Sequence, residues 1–347
     1  MNSPFKFLES YSKEDKDIFF GRDKEVEEIY ARLFKSSLLL VYGASGTGKT
    51  SILNCGIANK FAETDWYPLH VRRRNDINTS IRQEVLRLAH TPIPEAAGLN
   101  DALHSLYLDN FKPIYLIFDQ FEELFISGGA DEQKLFMDFL SELLERGENI
   151  KVIILIREEY LAYFNSFEEK IPSFFENRYR VEHMTARKAE DEVIVKTCNK
   201  AGIGLDSPRR VSDEIIRNIS SSTSSRSVEL SYLQVYLDRL FRHYLKTNPE
   251  PVIFSFALVK EVGSIDDVLA LFLEEQISQL DSPGTAWNIL KAFITSGGTK
   301  RTTSFNMVKE YLKDSGLSIS DLQIKEYLEK FLHLKIIKYL DEQQSVL

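Results

Sequence analysis

Gly43-Ala44-Ser45-Gly46-Thr47-Gly48-Lys49-Thr50 follows the apolar run Leu38-Leu39-Leu40-Val41-Tyr42, and Ser51, Ile52, Leu53, Ile57 and Ala58 after it carry a helical pattern. The octapeptide has the form G-x-x-x-x-G-K-[ST], the phosphate-binding P-loop, in the strand-then-helix setting the motif requires. Each residue type has a physical reason. Gly43, Gly46 and Gly48 allow dihedrals and close approaches that a Cβ forbids, so successive N–H groups, including those of Ala44, Ser45 and Thr47, can wrap a chain of phosphates. The helix that begins here, with Ser51 in its first turn, adds orphan donors and the positive end of its dipole. Lys49 is expected to reach the β- and γ-phosphates, and the Thr50 hydroxyl to ligate Mg²⁺. A glycine-rich turn that matches by chance would not need the strand before it and the helix after it.

Working outward, Ile114-Tyr115-Leu116-Ile117-Phe118 is apolar throughout and ends in Asp119. A strand with no polar alternation is buried on both faces of a parallel sheet. An acid at its carboxyl end lies at the edge where such sheets bind ligands. This is the Walker B pattern: Asp119 is expected in the Mg²⁺ shell, and Glu122 and Glu123 are placed to orient or deprotonate an attacking water. Lys151–Ile156 is another fully apolar strand, ending in Arg157. P-loop ATPases with an extra strand carry a γ-phosphate sensor at such a position; a structural salt bridge is the alternative. Trp66–Val71 reads as a further strand, with Pro68 marking a sheet edge, and Tyr179–Met184 as a fifth. Arg72-Arg73-Arg74 suits a solvated loop or an anion or partner contact. Helical patterns over Asp23–Phe34, Asn78–His90 and Phe136–Leu144 alternate with these strands, and Thr91–Asn100 is a connection. The alternation predicts a doubly wound parallel α/β domain.

Composition bounds the rest. The chain has 347 residues, 43% hydrophobic and 27% charged, with a net charge of −9. That length predicts two or three domains, and that charge argues against a surface built for general nucleic-acid binding. Two cysteines, Cys55 and Cys198, fall in no metal-ligand pattern and fit a reducing cytosol. No apolar run approaches the ~20 residues that span a bilayer, and the first residues lack the apolar core of a signal peptide, so a soluble cytoplasmic protein is expected.

From Thr185 the pattern turns helical: Ala186–Lys200, Ser212–Ile219, Leu230–Tyr244 and Val259–Leu280, with a polar linker at Ser220–Ser225. Ser282-Pro283-Gly284 reads as a boundary. Trp287–Thr295, Phe305–Leu312 and Ser320–His333 then read as three helices. The apolar strand Lys335–Leu340 and the turn-like Asp341–Gln344 follow, an order that suggests a winged helix, incomplete at its C-terminal end. Its third helix carries Asp321, Glu326 and Glu329 beside Lys325 and Lys330, a poor surface for a phosphate backbone. The domains predicted are 1–185, a nucleotide-binding α/β domain; 186–281, a helical lid; and 282–347, the winged helix.

Together these residues resemble the STAND class of signal-transduction ATPases, related to the AAA+ proteins, and within it the bacterial novel STAND NTPases. The resemblance rests on Phe19-Phe20-Gly21-Arg22-Asp23-Lys24-Glu25, on Gly43–Thr50, and on Asp119-Gln120-Phe121-Glu122-Glu123-Leu124-Phe125. The strand end at Arg157 and the segment Leu230-Ser231-Tyr232-Leu233-Gln234 are similar to family features too. It implies adenine beside the Gly21-Arg22 backbone, ATP or ADP with Mg²⁺ as cofactors, and an AAA+-type lid. It also implies a winged helix that locks the nucleotide in the resting state. Where the family commonly has a proline after the leucine matching Leu230, this chain has Ser231. The wing strand on which relatives carry a phosphate-sensing histidine is not in the sequence. The function implied is an ATP-driven switch, closed with ADP and open with ATP, that forms homo-oligomers and acts through sensor and effector regions outside this chain, in bacterial defence or signalling. A DNA-binding AAA+ ATPase of the origin-recognition or transcription-regulator type shares the P-loop, lid and winged helix; the acidic third helix counts against it. A metabolic kinase would need an acceptor-binding motif, and none is visible.

Overall fold

The apolar runs become the strands of one sheet: β1 (Leu38–Gly43), β2 (Tyr67–Val71), β3 (Ile114–Phe118), β4 (Ile150–Arg157) and β5 (Arg178–Arg180). Every pairing is parallel, in the order β2-β3-β4-β1-β5. The structure is a computed structural model that describes residues 3–147, 149–168, 170–220, 227–248, 251–278, 280–294, 303–333, 336–337 and 345–346. Pro68 lies in β2, an edge strand, where its missing N–H costs no ladder bond. All five residues of β3 are buried, as a central parallel strand requires.

The chain divides into two compact units, Met1–Arg73 with Ile77–Val268, and Arg74–Asp76 with Leu269–Leu347. In the first, one face of the sheet is covered by α1 (Asp23–Leu33) and α2 (Lys49–Ser51, continued in π-helical geometry by Ile52–Ile57). The other face is covered by α3 (Ile77–Leu88), α4 (Leu99–Asn110), α5 (Glu123–Ser127) and α6 (Ala130–Arg146). Val26, Ile29 and Leu33 of α1 are buried as their spacing predicts, each adding about 1.5–3 kcal/mol by leaving water. The sequence predicts no element between the connection at Thr91–Asn100 and β3. In the structure α4 fills it, burying Ala102, Leu103 and Leu106.

The predicted strand Tyr179–Met184 resolves into two pieces. β5 ends at Arg180, and Met184–Thr185 pairs antiparallel with Ser227–Val228. The helical part follows: α7 (Ala186–Lys188, continued as a π-helical segment over Ala189–Ile194), α8 (Val195–Lys200), α9 (Pro208–Ile219), α10 (Leu230–Thr247) and α11 (Phe256–Val262). Tyr236 of α10 anchors it, donating to the Gly263 carbonyl at 2.7 Å and accepting from Asn218 at 2.8 Å. The single stretch predicted over Val259–Leu280 is broken after α11, and α12 (Ile265–Ser278) starts anew. Gly263 takes φ +79°, and Ser264 and Asp267 exchange capping hydrogen bonds, Ser264 N to Oδ2 at 2.9 Å and Asp267 N to Oγ at 3.3 Å. Of the predicted linker, Ser221–Ser225 lies outside the described residues.

The second unit holds most of α12 with α13 (Pro283–Lys291), α14 (Phe305–Asp314) and α15 (Asp321–His333), around Ile277, Ile289, Val308, Leu312, Ile324 and Phe331. Thr303–Ser304 pairs antiparallel with Ser345–Val346. Of the predicted strand Lys335–Leu340, only Ile336 and Ile337 are described, and they form a bend, with the Ile336 N–H returning to the Phe331 carbonyl at 2.9 Å. Among the described residues, no helix is long and apolar enough to cross a membrane.

Candidate active site

Parallel pairing brings the carboxyl ends of the strands to one edge, and the register decides which side chains meet. Gly43 lies opposite Arg157, and Phe118 lies opposite both Val71 and Ile154. The residues that leave these strands, Ala44, Arg72, Asp119 and Arg157, therefore gather at one edge. Gly43 packs so tightly that a Cβ there would stand 2.3 Å from the Val181 carbonyl oxygen. Gly46 takes φ +73°, and a Cβ on it would come 2.7 Å from Glu229 Cγ and 3.0 Å from Ser231 Oγ. Both positions exclude any larger side chain.

Lys49 folds back into the loop and donates to the carbonyls of Gly43 at 2.8 Å and Ala44 at 2.9 Å. Burial holds its pKa below the ordinary lysine value, and the nearby Glu122 works against that shift. Thr47 is buried, donating to the Ala44 carbonyl at 3.0 Å. Ser45 is exposed, and Ser51 Oγ accepts the Tyr11 N–H at 3.1 Å.

Asp119 is only 9% exposed. Its Oδ1 accepts the Thr50 hydroxyl at 2.9 Å, and its Oδ2 is paired with Arg72 Nη2 at 2.7 Å. Thr50 and Asp119 form a small set of hard oxygen donors. That set fits Mg²⁺, which keeps several waters and takes other ligands from phosphates. Among the described residues no group of three or more His, Cys, Asp or Glu is arranged to hold a metal ion. Gln120 takes a left-handed φ of +59°, turning the chain sharply from β3 toward α5.

Glu122 is 5% exposed and pairs with Arg157, whose Nε lies at 2.9 Å and whose backbone N–H donates at 3.3 Å. It lines the same pocket as Lys49, Thr50, Asp119 and Arg157, a cavity of about 250 Å³; Glu123, which opens α5, is not part of that lining. Phe19, Phe20 and Arg22 also line the pocket, whereas Gly21, at φ +79°, is not part of that lining and packs against Met184 and Glu192. The Arg22 side chain, 3% exposed, donates to the carbonyls of Thr47 at 2.8 Å and Glu182 at 3.1 Å and pairs with Glu25 at 2.6 Å. It ties the Phe19–Glu25 motif to the P-loop.

Three groups of residues that line the pocket or touch its lining were not singled out as site residues from the sequence. The segment before the Phe19–Glu25 motif lines the cavity with Phe7, Tyr11 and Ile18. It is held by Phe5, buried near Phe241 and Phe254, and by the Lys6 N–H on Gln234 Oε1 at 3.2 Å. Glu229 and Ser231 come over Gly46, with Ser231 Oγ donating to Glu229 at 3.1 Å. Arg72 reaches Asp119. The aromatic spacing Phe5-x-Phe7 and the arginine run were visible signals, but neither says which element it will meet.

The sequence profile of the family described as Novel STAND NTPase 1 matches residues 4–344. This chain is a novel STAND NTPase. It is thus a P-loop nucleoside triphosphatase, the enzyme class read from Gly43–Thr50. A comparison with curated proteins found no match. Among solved structures, the chain is similar to the Walker-type ATPase of Pyrococcus abyssi, at 14% identity over 99% of this chain and 97% of that one, with a TM-score of 0.52. It is also similar to the ORC1 protein of Aeropyrum pernix in complex with DNA, at 15% identity over 97% and 90% of the chains and a TM-score of 0.55. For the ADP form of the ORC2 protein of that organism the values are 18%, 97%, 92% and 0.55. At such identities the likeness speaks of the fold, and it agrees with the parallel α/β architecture seen here. In this novel STAND NTPase Ser231, the second residue of α10, lines the pocket while its hydroxyl donates to Glu229.

Proposed function

We propose that this novel STAND NTPase is an ATP-binding and hydrolysing signal-transduction switch, closed with ADP and open with ATP, that assembles into homo-oligomers when triggered. The observation that carries the reading is Lys49. Its ammonium sits at the mouth of a pocket against two neutral carbonyls, and among the described residues no carboxylate pairs with it. A half-buried cation whose ammonium touches only neutral carbonyls favours an anionic ligand. In this reading Lys49 and the N–H groups of Gly43–Ser51 bind the phosphates, and the backbone of Gly21-Arg22 flanks adenine. Thr50 and Asp119 would hold Mg²⁺, which when bound neutralises phosphate charge. Glu122, with Glu123 as the second candidate, orients water, and Arg157 positions Glu122 or meets the γ-phosphate.

The domain roles proposed are nucleotide binding for 1–185, a lid for 186–281 and a winged helix for 282–347. The lid role is supported by α10, whose first residues reach Gly46. Such contacts allow the nucleotide state to bias the helical part, since a ligand shifts an equilibrium by its differential affinity for the two states. The cationic pair Lys300 and Arg301, candidates to face the nucleotide from the winged helix, lies outside the described residues. The DNA-binding alternative draws on the DNA complex of the Aeropyrum pernix ORC1 protein, but α15 of this chain carries only two lysines beside Asp321, Glu326 and Glu329. One of them, Lys330, pairs with Asp281 at 2.7 Å.

The test is calorimetry of ATP and ADP with Mg²⁺ on the parent and on Lys49→Ala, with mass in each nucleotide state measured by light scattering. Loss of one charge-assisted contact of about 1.5–3 kcal/mol lowers affinity by roughly 10- to 150-fold, and ATP is expected to raise the mass of the parent. Unchanged affinity in a folded Lys49→Ala variant would overturn the site.

A further inference from the structure

The arginine run at the end of β2 contains two residues with different attachments. Arg73 is buried and bolted down, with Nε and Nη2 on the two oxygens of Glu132 at 2.8 and 2.9 Å and Nη2 also on the Ser127 carbonyl at 3.2 Å. Arg72 is 58% exposed, and among the described residues its side chain has one partner, Asp119. The register makes that meeting unavoidable. Val71 pairs with Phe118, and the Asp119 N–H donates to the Val71 carbonyl at 3.2 Å. The next residue on each strand therefore emerges beside the other.

We propose that Arg72 is a positioning residue that holds the metal position closed: it neutralises Asp119 in the metal-free protein and must leave before Mg²⁺ is taken up, and so sets the Mg²⁺ concentration at which nucleotide is retained. The proposal rests on the reading of Thr50 and Asp119 as the Mg²⁺ donors. Asp119 is buried, and a buried carboxylate needs a countercharge. Thr50 supplies only a hydroxyl, to Oδ1, and among the described residues Arg72 is the cation in direct contact with Oδ2. A guanidinium and a hydrated divalent cation compete for that carboxylate and repel each other. Exposure of the arginine makes the exchange easy, because solvent screens its side of the pair and, among the described residues, no other group holds the Arg72 side chain there. The bolted Arg73 keeps the strand end in place while its neighbour moves.

The experiment uses the whole chain with Arg72→Ala and Arg72→Lys. ATP binding is titrated by calorimetry at a series of MgCl₂ concentrations, and thermal unfolding is followed without ligands and with saturating Mg²⁺ and ATP. Arg72→Ala is expected to lower the half-saturating Mg²⁺ concentration about two- to fivefold, the scale of one screened pair. Its Tm should fall only in the ligand-free protein, and Arg72→Lys should lie between. A half-saturation point that is unchanged or raised overturns the proposal, as does a Tm loss equal in both states, which marks a static structural pair. If the parent binds ATP with no dependence on Mg²⁺, the reading of Thr50 and Asp119 falls, and the proposal with it. If the parent is Mg²⁺-dependent and Arg72→Ala matches it, the proposal alone falls.

Discussion

Arg157 was read from the sequence as a γ-phosphate sensor or the partner of a structural salt bridge, and the structure joins it to Glu122 by both side chain and backbone. Replacing Arg157 with alanine leaves the Glu122 carboxylate, 5% exposed, with only the backbone N–H at 3.3 Å. Breaking a fully buried pair costs about 3–5 kcal/mol. Arg157 is 38% exposed on its side chain, so water screens the pair, and the expected loss shrinks to about 1–2 kcal/mol, toward the range of exposed pairs. Glu122→Gln removes the charge and keeps one acceptor oxygen in place of two, so one Arg157 donor loses its partner but no carboxylate is stranded, and it should cost less. In the double variant no carboxylate is stranded, and its cost should approach that of Glu122→Gln alone, a coupling of about 1 kcal/mol. Urea unfolding can read this from Trp66, buried against Phe61 in the nucleotide-binding unit, in a Trp287→Phe background that silences the chain's second tryptophan. In ATP turnover, an Arg157 that acts through Glu122 predicts the same residual rate for Glu122→Gln and for the double variant. Costs that add to within about 0.3–0.5 kcal/mol, with rates that multiply, would refute the coupling and leave Arg157 acting on the phosphate directly.

Two further outcomes are expected. Gly46→Ala should lose about 1–2 kcal/mol from its left-handed backbone alone and suffer the added clash with Glu229. Glu229→Ala in the same chain should relieve the clash and not the backbone cost, as thermal unfolding of the single and double variants would measure. Fluorescence anisotropy with duplex DNA across a salt series should show no strong, salt-sensitive binding, because α15 carries two lysines against three acids and one of those lysines, Lys330, is paired with Asp281. Tight binding that falls steeply with salt would revive the DNA-binding reading.

Much of the nucleotide-binding unit was legible because its signals are local. Buried parallel strands read as unbroken apolar runs, the P-loop is contiguous, and Asp119 follows its strand directly. Elements whose local signals are weak were not legible. α4 was missed because Asn100, Asp101, His104 and Asp109 dilute its apolar face. The break between α11 and α12 was written in Gly263-Ser264 with Asp267 three residues on, a stop and a cap that the apolar periodicity on either side concealed.

By itself, then, the sequence determined the parallel α/β fold, the phosphate-binding loop and the acids at the strand ends, since each depends on neighbours within a few residues. Only the tertiary structure decided that Arg72 meets Asp119, that Arg157 holds Glu122, that Glu229 stands over Gly46 and that Phe7 and Tyr11 wall the pocket. Those pairings depend on strand order, register and the return of distant segments. Charge and periodicity say that an arginine needs a partner; the packing of the whole chain chooses which one.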